Sequence, residues 1–212
     1  MEESHSLPII GEAAPDFEAV TTQGRLKLSD LRGKWVVLFS HPADFTPVCT
    51  TEFVALAQAY PELEALNVKL IGLSIDSVHS HLAWVRNIEE KMGVKIPFPV
   101  IADLDMSVAK TFGMIHPGTS STETIRTVFF IDPEGKMRAM IYYPLTNGRY
   151  IPEIVRLVKA LQTTDRHKVS TPANWQPGEK VVVPPPKTAA EMEKRAGEGY
   201  ECKDWYLCFK TI

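Results

Sequence analysis

The sequence predicts an α/β layered domain with a mixed sheet. Two observations carry this. Short, near-continuous apolar runs rich in β-formers recur through the first two-thirds of the chain, and runs of this kind suit strands buried on both faces. Segments with apolar residues at three- and four-residue steps alternate with them, as helices laid on a sheet require.

The first strand is expected at residues 35–41, WVVLFSH. A helix follows over 50–66, where Phe53, Leu56, Leu63 and Leu66 share a face and Pro61 interrupts. Residues 67–76 form the second strand, and 79–92 the second helix through Leu82, Val85, Ile88 and Met92. A third strand, 98–102, leads to a third helix near 106–113. The turn Asp132-Pro133-Glu134-Gly135 joins strands 125–131 and 136–142 into a hairpin, the antiparallel part of the sheet. A helix over 152–162 closes the domain, with Pro152 at its start and Ile154, Leu157, Val158 and Leu161 on one face.

After about residue 168 the composition changes. Pro172, Pro177 and Pro184–Pro186 are expected to break any regular element, and a short charged helix near 187–196 ends at Gly197 and Gly199. We therefore divide the chain into a domain at 1–168 and a C-terminal arm at 169–212. The arm holds Cys202 and Cys208 among Tyr200, Trp205, Tyr206 and Phe209. Aromatics at this density suit an arm that packs on the body or on a neighbouring subunit.

The 212 residues carry a formal net charge of -3, which argues against a dedicated nucleic-acid binder. No run approaches the roughly 18 to 20 apolar residues of a membrane helix. The start, MEESHSLPII, lacks the basic and apolar regions of a secretory signal. A cytoplasmic protein is expected, in which thiols are kept reduced. Three cysteines, an odd number, argue against a purely structural pairing.

The segment His41-Pro42-Ala43-Asp44-Phe45-Thr46-Pro47-Val48-Cys49 links the first buried strand to a helix. Cys49 thus falls in or near a first helical turn, where unpaired N–H groups and the helix dipole favour thiolate over thiol. Thr46, one turn earlier, can donate to the sulfur or to a bound oxygen. Acidity alone gains little, because nucleophilicity falls as a thiol becomes more acidic, with a slope of about 0.4 to 0.5. Fast chemistry at such a sulfur needs groups that hold charge as bonds break, and a cation must come from elsewhere in the chain.

Pro42-x-x-x-Thr46-x-x-Cys49 resembles the peroxiredoxin active-site motif. The longer string Leu38 to Glu52 is similar to the peroxiredoxin-6 branch. The similarity continues through Ile125-Arg126 and Tyr143-Pro144-x-Thr146-x-Gly148-Arg149, over roughly residues 6–185. The resemblance implies a thioredoxin-like fold, with a central mixed sheet flanked by helices and an extended C-terminal arm. It implies a peroxidase reducing hydrogen peroxide and organic hydroperoxides through a sulfenic acid at Cys49, with no cofactor and no metal. Arg126 would be the missing cation beside the sulfur and, with Thr46, would bind substrate. Arg149 would lie nearby, Glu52 would orient the arginines, Pro42 would shield the thiolate, and His41 would sit close to the sulfur. Relatives with such arms form dimers that assemble into decamers and are reduced by thioredoxin-like partners. Some archaeal-type relatives carry a matching cysteine pair, which implies Cys208 as the resolving thiol and Cys202 as its helper. Reach does not decide between a bond within one chain and one between chains. About 40 residues of extended arm span up to roughly 130 Å, against a body about 40 Å across.

Three rival readings have less support. His41, Cys49, His79 and His81 supply zinc-ligand types but match no common structural spacing. Some animal relatives are phospholipases with a serine just before the LFSHP strand, but Lys34 stands at that place here, so no nucleophile elbow is present. A holdase role on overoxidation is neither supported nor excluded by the sequence.

Overall fold

The computed structural model describes residues 7–195 and 197–212. The first six residues of the acidic start and Ala196, at the expected end of the charged helix, lie outside them. Contacts divide the chain into two compact units, the first ending at Ile151 and the second running from Pro152 to Ile212.

The first unit is built on a seven-stranded mixed sheet. Its strands are β1 (Glu18–Thr21), β2 (Gly24–Lys27), β3 (Trp35–Ser40), β4 (Val68–Ser74), β5 (Val100–Ala102), β6 (Arg126–Ile131) and β7 (Met137–Tyr143), in the order β2-β1-β5-β4-β3-β6-β7. β3, β4 and β5 are parallel, while β6 and β7 pair antiparallel beyond β3. Every residue of β3 and β6 is buried, as their unbroken apolar runs predict. Side chains alternate across β3. Val36 and Leu38 join a core with Ile71, Phe129 and the Val108, Ala109 and Phe112 cluster around α3 (Ser107–Thr111). Phe39 meets Phe53 of α1 (Pro47–Ala65) at 5.5 Å and Phe98 at 5.6 Å. Gly72 of β4 permits this packing, since a Cβ there would stand 3.1 Å from the Phe39 ring. Trp84 of α2 (Val78–Met92) closes the aromatic cluster, 4.5 Å from Phe53.

Local signals explain the helix ends. Ser77 accepts the N–H of Ser80 at the start of α2, and Gly93, at φ 69°, ends it in the left-handed region. α1 has Pro47 in its first turn and continues through Pro61, which the sequence reading takes as an interruption. The hairpin β1–β2 is also absent from that reading. Its residues are mostly exposed, so they offer no apolar run.

The second unit contains α4 (Ile151–His167), α5 (Ala189–Arg195) and a three-stranded sheet of β8 (Val181–Val182), β9 (Glu201–Asp204) and β10 (Leu207–Lys210), in the order β8-β10-β9. The prolines of the arm do not abolish regular structure. β8 fits between Pro177 and Pro184, bridged to Ser170 on one side and to β10 on the other. Trp175, Ala160, Val169 and Val181 form its core. Cys202 and Cys208 face each other across β9 and β10 and form a disulfide. No described helix is long and apolar enough to cross a membrane.

Candidate active site

β3 ends at Ser40, and the chain then turns through His41–Thr46 into α1. Pro47 takes the first helical position, which needs no N–H, so Cys49 becomes the third residue of α1. The N–H groups of a first turn have no acceptor four residues back. Cys49 is a free thiol with 0% exposure.

β6 begins at Arg126, in the strand beside β3, and this register brings a guanidinium to the helix start. Arg126 Nη1 lies 3.3 Å from Cys49 Sγ and donates to Glu52 Oε2 at 2.8 Å. Its Nε and Nη2 donate to the Leu145 carbonyl at 3.0 and 2.8 Å. Glu52, one turn after Cys49, also accepts from the backbone N–H of Arg149 at 2.8 Å and from its Nε and Nη2 at 2.9 and 2.7 Å. Burial pushes the Glu52 carboxyl up, but the adjoining Arg149 charge and hydrogen bonds, with Arg126 behind them, hold it below its ordinary range. Arg149 completes a brace by donating from Nη1 to the carbonyls of Ser40 and Thr127, the end of β3 and the start of β6. Arg126 therefore touches the sulfur, whereas the described contacts of Arg149 are to Glu52 and the two strands.

Thr46 Oγ1 donates its proton to the Ala43 carbonyl at 2.9 Å. The hydroxyl is thus committed as a donor within its own loop, and what it presents outward is an acceptor lone pair, not the donor expected from sequence. Pro42 is buried beside it in sequence. Phe45, between Pro42 and Thr46, is 57% exposed and sits at φ 55°, a strained conformation for a bulky residue.

The loop is tied down by a group that sequence reasoning did not assemble. Asp44 accepts from His41 Nε2 at 2.9 Å and from His81 Nδ1 of α2 at 2.8 Å, and its own N–H donates to Asp76 at 3.1 Å. His81 Nε2 meets the Ile101 carbonyl at 3.0 Å. Both nitrogens of His81 thus face acceptors, which fixes the ring between the loop and β5. Burial opposes the charged form of Asp44, yet the hydrogen bonds from the two histidines hold its carboxyl well below the ordinary range. Burial likewise depresses His41, which stays neutral with Nε2–H toward Asp44. Its Nδ1 is buried without a hydrogen-bond partner among the described residues. His41, Asp44 and His81 offer ligand-type atoms within 4.8 Å of one another. Their N···O distances are those of shared protons, and His79 is not part of the group. The spacings of 37 and 32 residues that join Asp44 to His81 and to Asp76 carry no local sequence signal.

This arrangement suits a nucleophilic sulfur held against one cation, with the counter-charge supplied by Glu52 and the loop fixed from behind by Asp44. Residues 10–140 match the model of the AhpC/TSA family, and residues 160–199 match that of the C-terminal domain of 1-Cys peroxiredoxin, which ends before Cys202. A peroxiredoxin of Aquifex aeolicus is 60% identical, covering 98% of each chain. One of Methanosarcina mazei is 54% identical, covering 96% of this chain and 98% of its own. Among solved structures, a cysteine-to-serine mutant of the peroxiredoxin 6 of Arenicola marina matches with TM-score 0.87 and 41% identity, over 96% of this chain and 97% of that one. The yeast mitochondrial 1-Cys peroxiredoxin, solved to explain thiol resolution through the glutathione and thioredoxin systems, matches with TM-score 0.87 and 42% identity, over 97% and 100%.

Proposed function

The chain belongs to the AhpC/TSA family, among its peroxiredoxins, and on that premise we propose that Cys49 is the sulfur that attacks the peroxide. The enzyme is a thiol-dependent peroxidase with the thioredoxin-like fold of its family. The observation that carries the residue assignment is the 3.3 Å contact between Arg126 Nη1 and Cys49 Sγ at the start of α1.

The Cys49 thiolate attacks the terminal oxygen of a hydroperoxide. The O–O bond breaks, Cys49 becomes a sulfenic acid, and the departing alkoxide or hydroxide takes a proton to leave as alcohol or water. Arg126 holds the negative charge as it moves from sulfur to the leaving oxygen. The Thr46 oxygen accepts the peroxide O–H, since its own proton is held by Ala43. Glu52 and Arg149 are positioning residues, Pro42 limits water, and His41 lines the loop behind the sulfur.

Cys208 then condenses with the sulfenic acid and water leaves. The thiol of Cys202 attacks Cys208, Cys49 is released, and the Cys202–Cys208 disulfide remains for a dithiol reductant. The presence of that disulfide together with a free Cys49 in one chain supports this end state. In this reading residues 1–168 form the peroxidase domain, and the arm 169–212 brings its cysteines to the site of a partner subunit. The working form is a cytoplasmic assembly of dimers, ten chains in all, reduced by thioredoxin or a similar protein.

Peroxide consumption coupled to thioredoxin oxidation tests the assignment. Cys49→Ser is expected to be folded and inactive. Cys208→Ser should consume about one equivalent and stall, with no disulfide-linked dimer on a non-reducing gel, while Cys202→Ser should still form that dimer. Turnover by folded Cys49→Ser would overturn the peroxide step. A dimer that only Cys202→Ser abolishes would reverse the two arm roles.

A further inference from the structure

The two sulfurs of the arm disulfide are not equivalent. Cys208 is 1% exposed, on the central strand of the small sheet, whereas Cys202 is exposed on β9 at its edge. A thiolate attacks a disulfide in line with the S–S bond, so access to one sulfur decides which bond partner leaves. The turn joining β9 to β10 consists of Trp205 and Tyr206 alone. Two-residue hairpin turns favour Gly, Asn and Asp, which adopt positive φ easily, but here neither residue has a positive φ. Both rings are about half exposed, and they pack edge to face at 5.6 Å. Large aromatics at an exposed tip, three and four residues from the exposed Cys202, have no packing reason within this sheet. They are the side chains that anchor protein interfaces. The outer edge of β9 is unpaired within the small sheet, so a partner's extended segment can add main-chain hydrogen bonds there.

Resting on the two-cysteine cycle proposed above, we propose that this hairpin is the docking site of the protein dithiol reductant, which attacks Cys202 with Trp205 and Tyr206 as its footing. The reductant's thiolate bonds to Cys202 Sγ, the Cys202–Cys208 bond breaks, and Cys208 leaves with the electron pair and takes a proton. Its sulfur lies 3.5 Å from the Asp204 carbonyl and 3.9 Å from that of Trp205, acceptors for the S–H so formed. The reductant's second thiol then attacks the mixed disulfide and releases Cys202. The reductant ends as a disulfide and the arm as two thiols. Attack from this side frees Cys208 first, the sulfur that must meet the next sulfenic acid.

The test uses the full-length enzyme oxidised with one equivalent of hydrogen peroxide, and thioredoxin whose second active-site cysteine is serine. After acid quench, peptide mapping locates the mixed disulfide. An adduct on Cys202 is expected, and an adduct on Cys208 overturns the proposal while leaving the peroxidase cycle intact. If the oxidised enzyme holds no Cys202–Cys208 disulfide, the two-cysteine cycle itself fails. The Trp205→Ala/Tyr206→Ala variant should lower the ratio of thioredoxin-driven to dithiothreitol-driven disulfide reduction at least tenfold, through KM. A ratio within twofold of wild type overturns the docking role.

Discussion

Arg126→Ala isolates the charge that the site brings to its sulfur. The guanidinium stands 3.3 Å from Cys49 Sγ. At an effective dielectric of about 20, a unit charge at that distance is worth about 5 kcal/mol to a full negative charge, as an upper bound on what one partner supplies. Loss of a single preorganised donor in other enzymes costs about 3 to 4 kcal/mol in the transition state. At roughly 1.4 kcal/mol per decade, the peroxide step should slow by about a hundredfold or more. The fold should survive. Glu52 keeps its three hydrogen bonds from Arg149, and Leu145, which loses two donors, is only partly buried and open to water. The main-chain pairing of residue 126 with Tyr143 is unaffected by the side chain. Stopped-flow tryptophan fluorescence on the reduced enzyme measures the step directly. Arg126→Lys should recover only part of the loss, because one ammonium cannot reach the sulfur, Glu52 and Leu145 with a fixed fork. A loss below about threefold in the folded alanine variant would refute the argument and make Arg126 a strand flank.

Glu52→Gln should do the opposite, harming stability more than an exposed substitution could. It removes the charge shared by two buried arginines and puts an amide N–H₂ where a donor now points, a change that costs about 3 to 5 kcal/mol in comparable buried pairs. Urea unfolding checks this, and a loss under about 1 kcal/mol contradicts the brace. The buried His41 predicts a pH dependence. Its folded pKa is depressed, so the unfolded chain binds the extra proton first, and stability is lost as pH falls below about 6.5 toward the folded value. Asp44 is depressed too, so its contribution disappears only in stronger acid, below about 3.9. His41→Phe should flatten the profile between pH 7 and 5, and an unchanged slope assigns the effect to another group.

Much of this fold is local information. The runs at 35–41 and 125–131 read as buried strands because both of their faces are covered, and the structure buries every residue of β3 and β6. β1 and β2 escape because exposed strands need no apolar pattern, and β8 escapes because two residues between prolines are too few to show a period. Pro61 is tolerated in α1, where a breaker rule would stop the helix. The site divides in the same way. Cys49 and Thr46 lie at one helix start and could be read from their spacing, while Pro42, just upstream in the same stretch, took its role from the family motif. Arg126, Arg149 and Glu52 could be brought together only by resemblance to a family. His81 and Asp76 had neither route, since each meets the loop from a separate element.

The brace around Arg149 has a consequence for how the protein is made. Its contacts close chain separations of 97 residues to Glu52 and 109 to Ser40, and Arg126 reaches Cys49 across 77. Pairings this distant carry a large closure entropy and form late, after local helices and hairpins. A chain leaving the ribosome exposes Cys49 about a hundred residues before the group that braces its helix to the sheet has emerged. Through that interval the cysteine sits on a nascent segment without the Arg126 guanidinium that the folded chain sets against it. Peroxide reactivity should therefore switch on with completion of the native topology, so that only finished molecules commit their sulfur to oxidation.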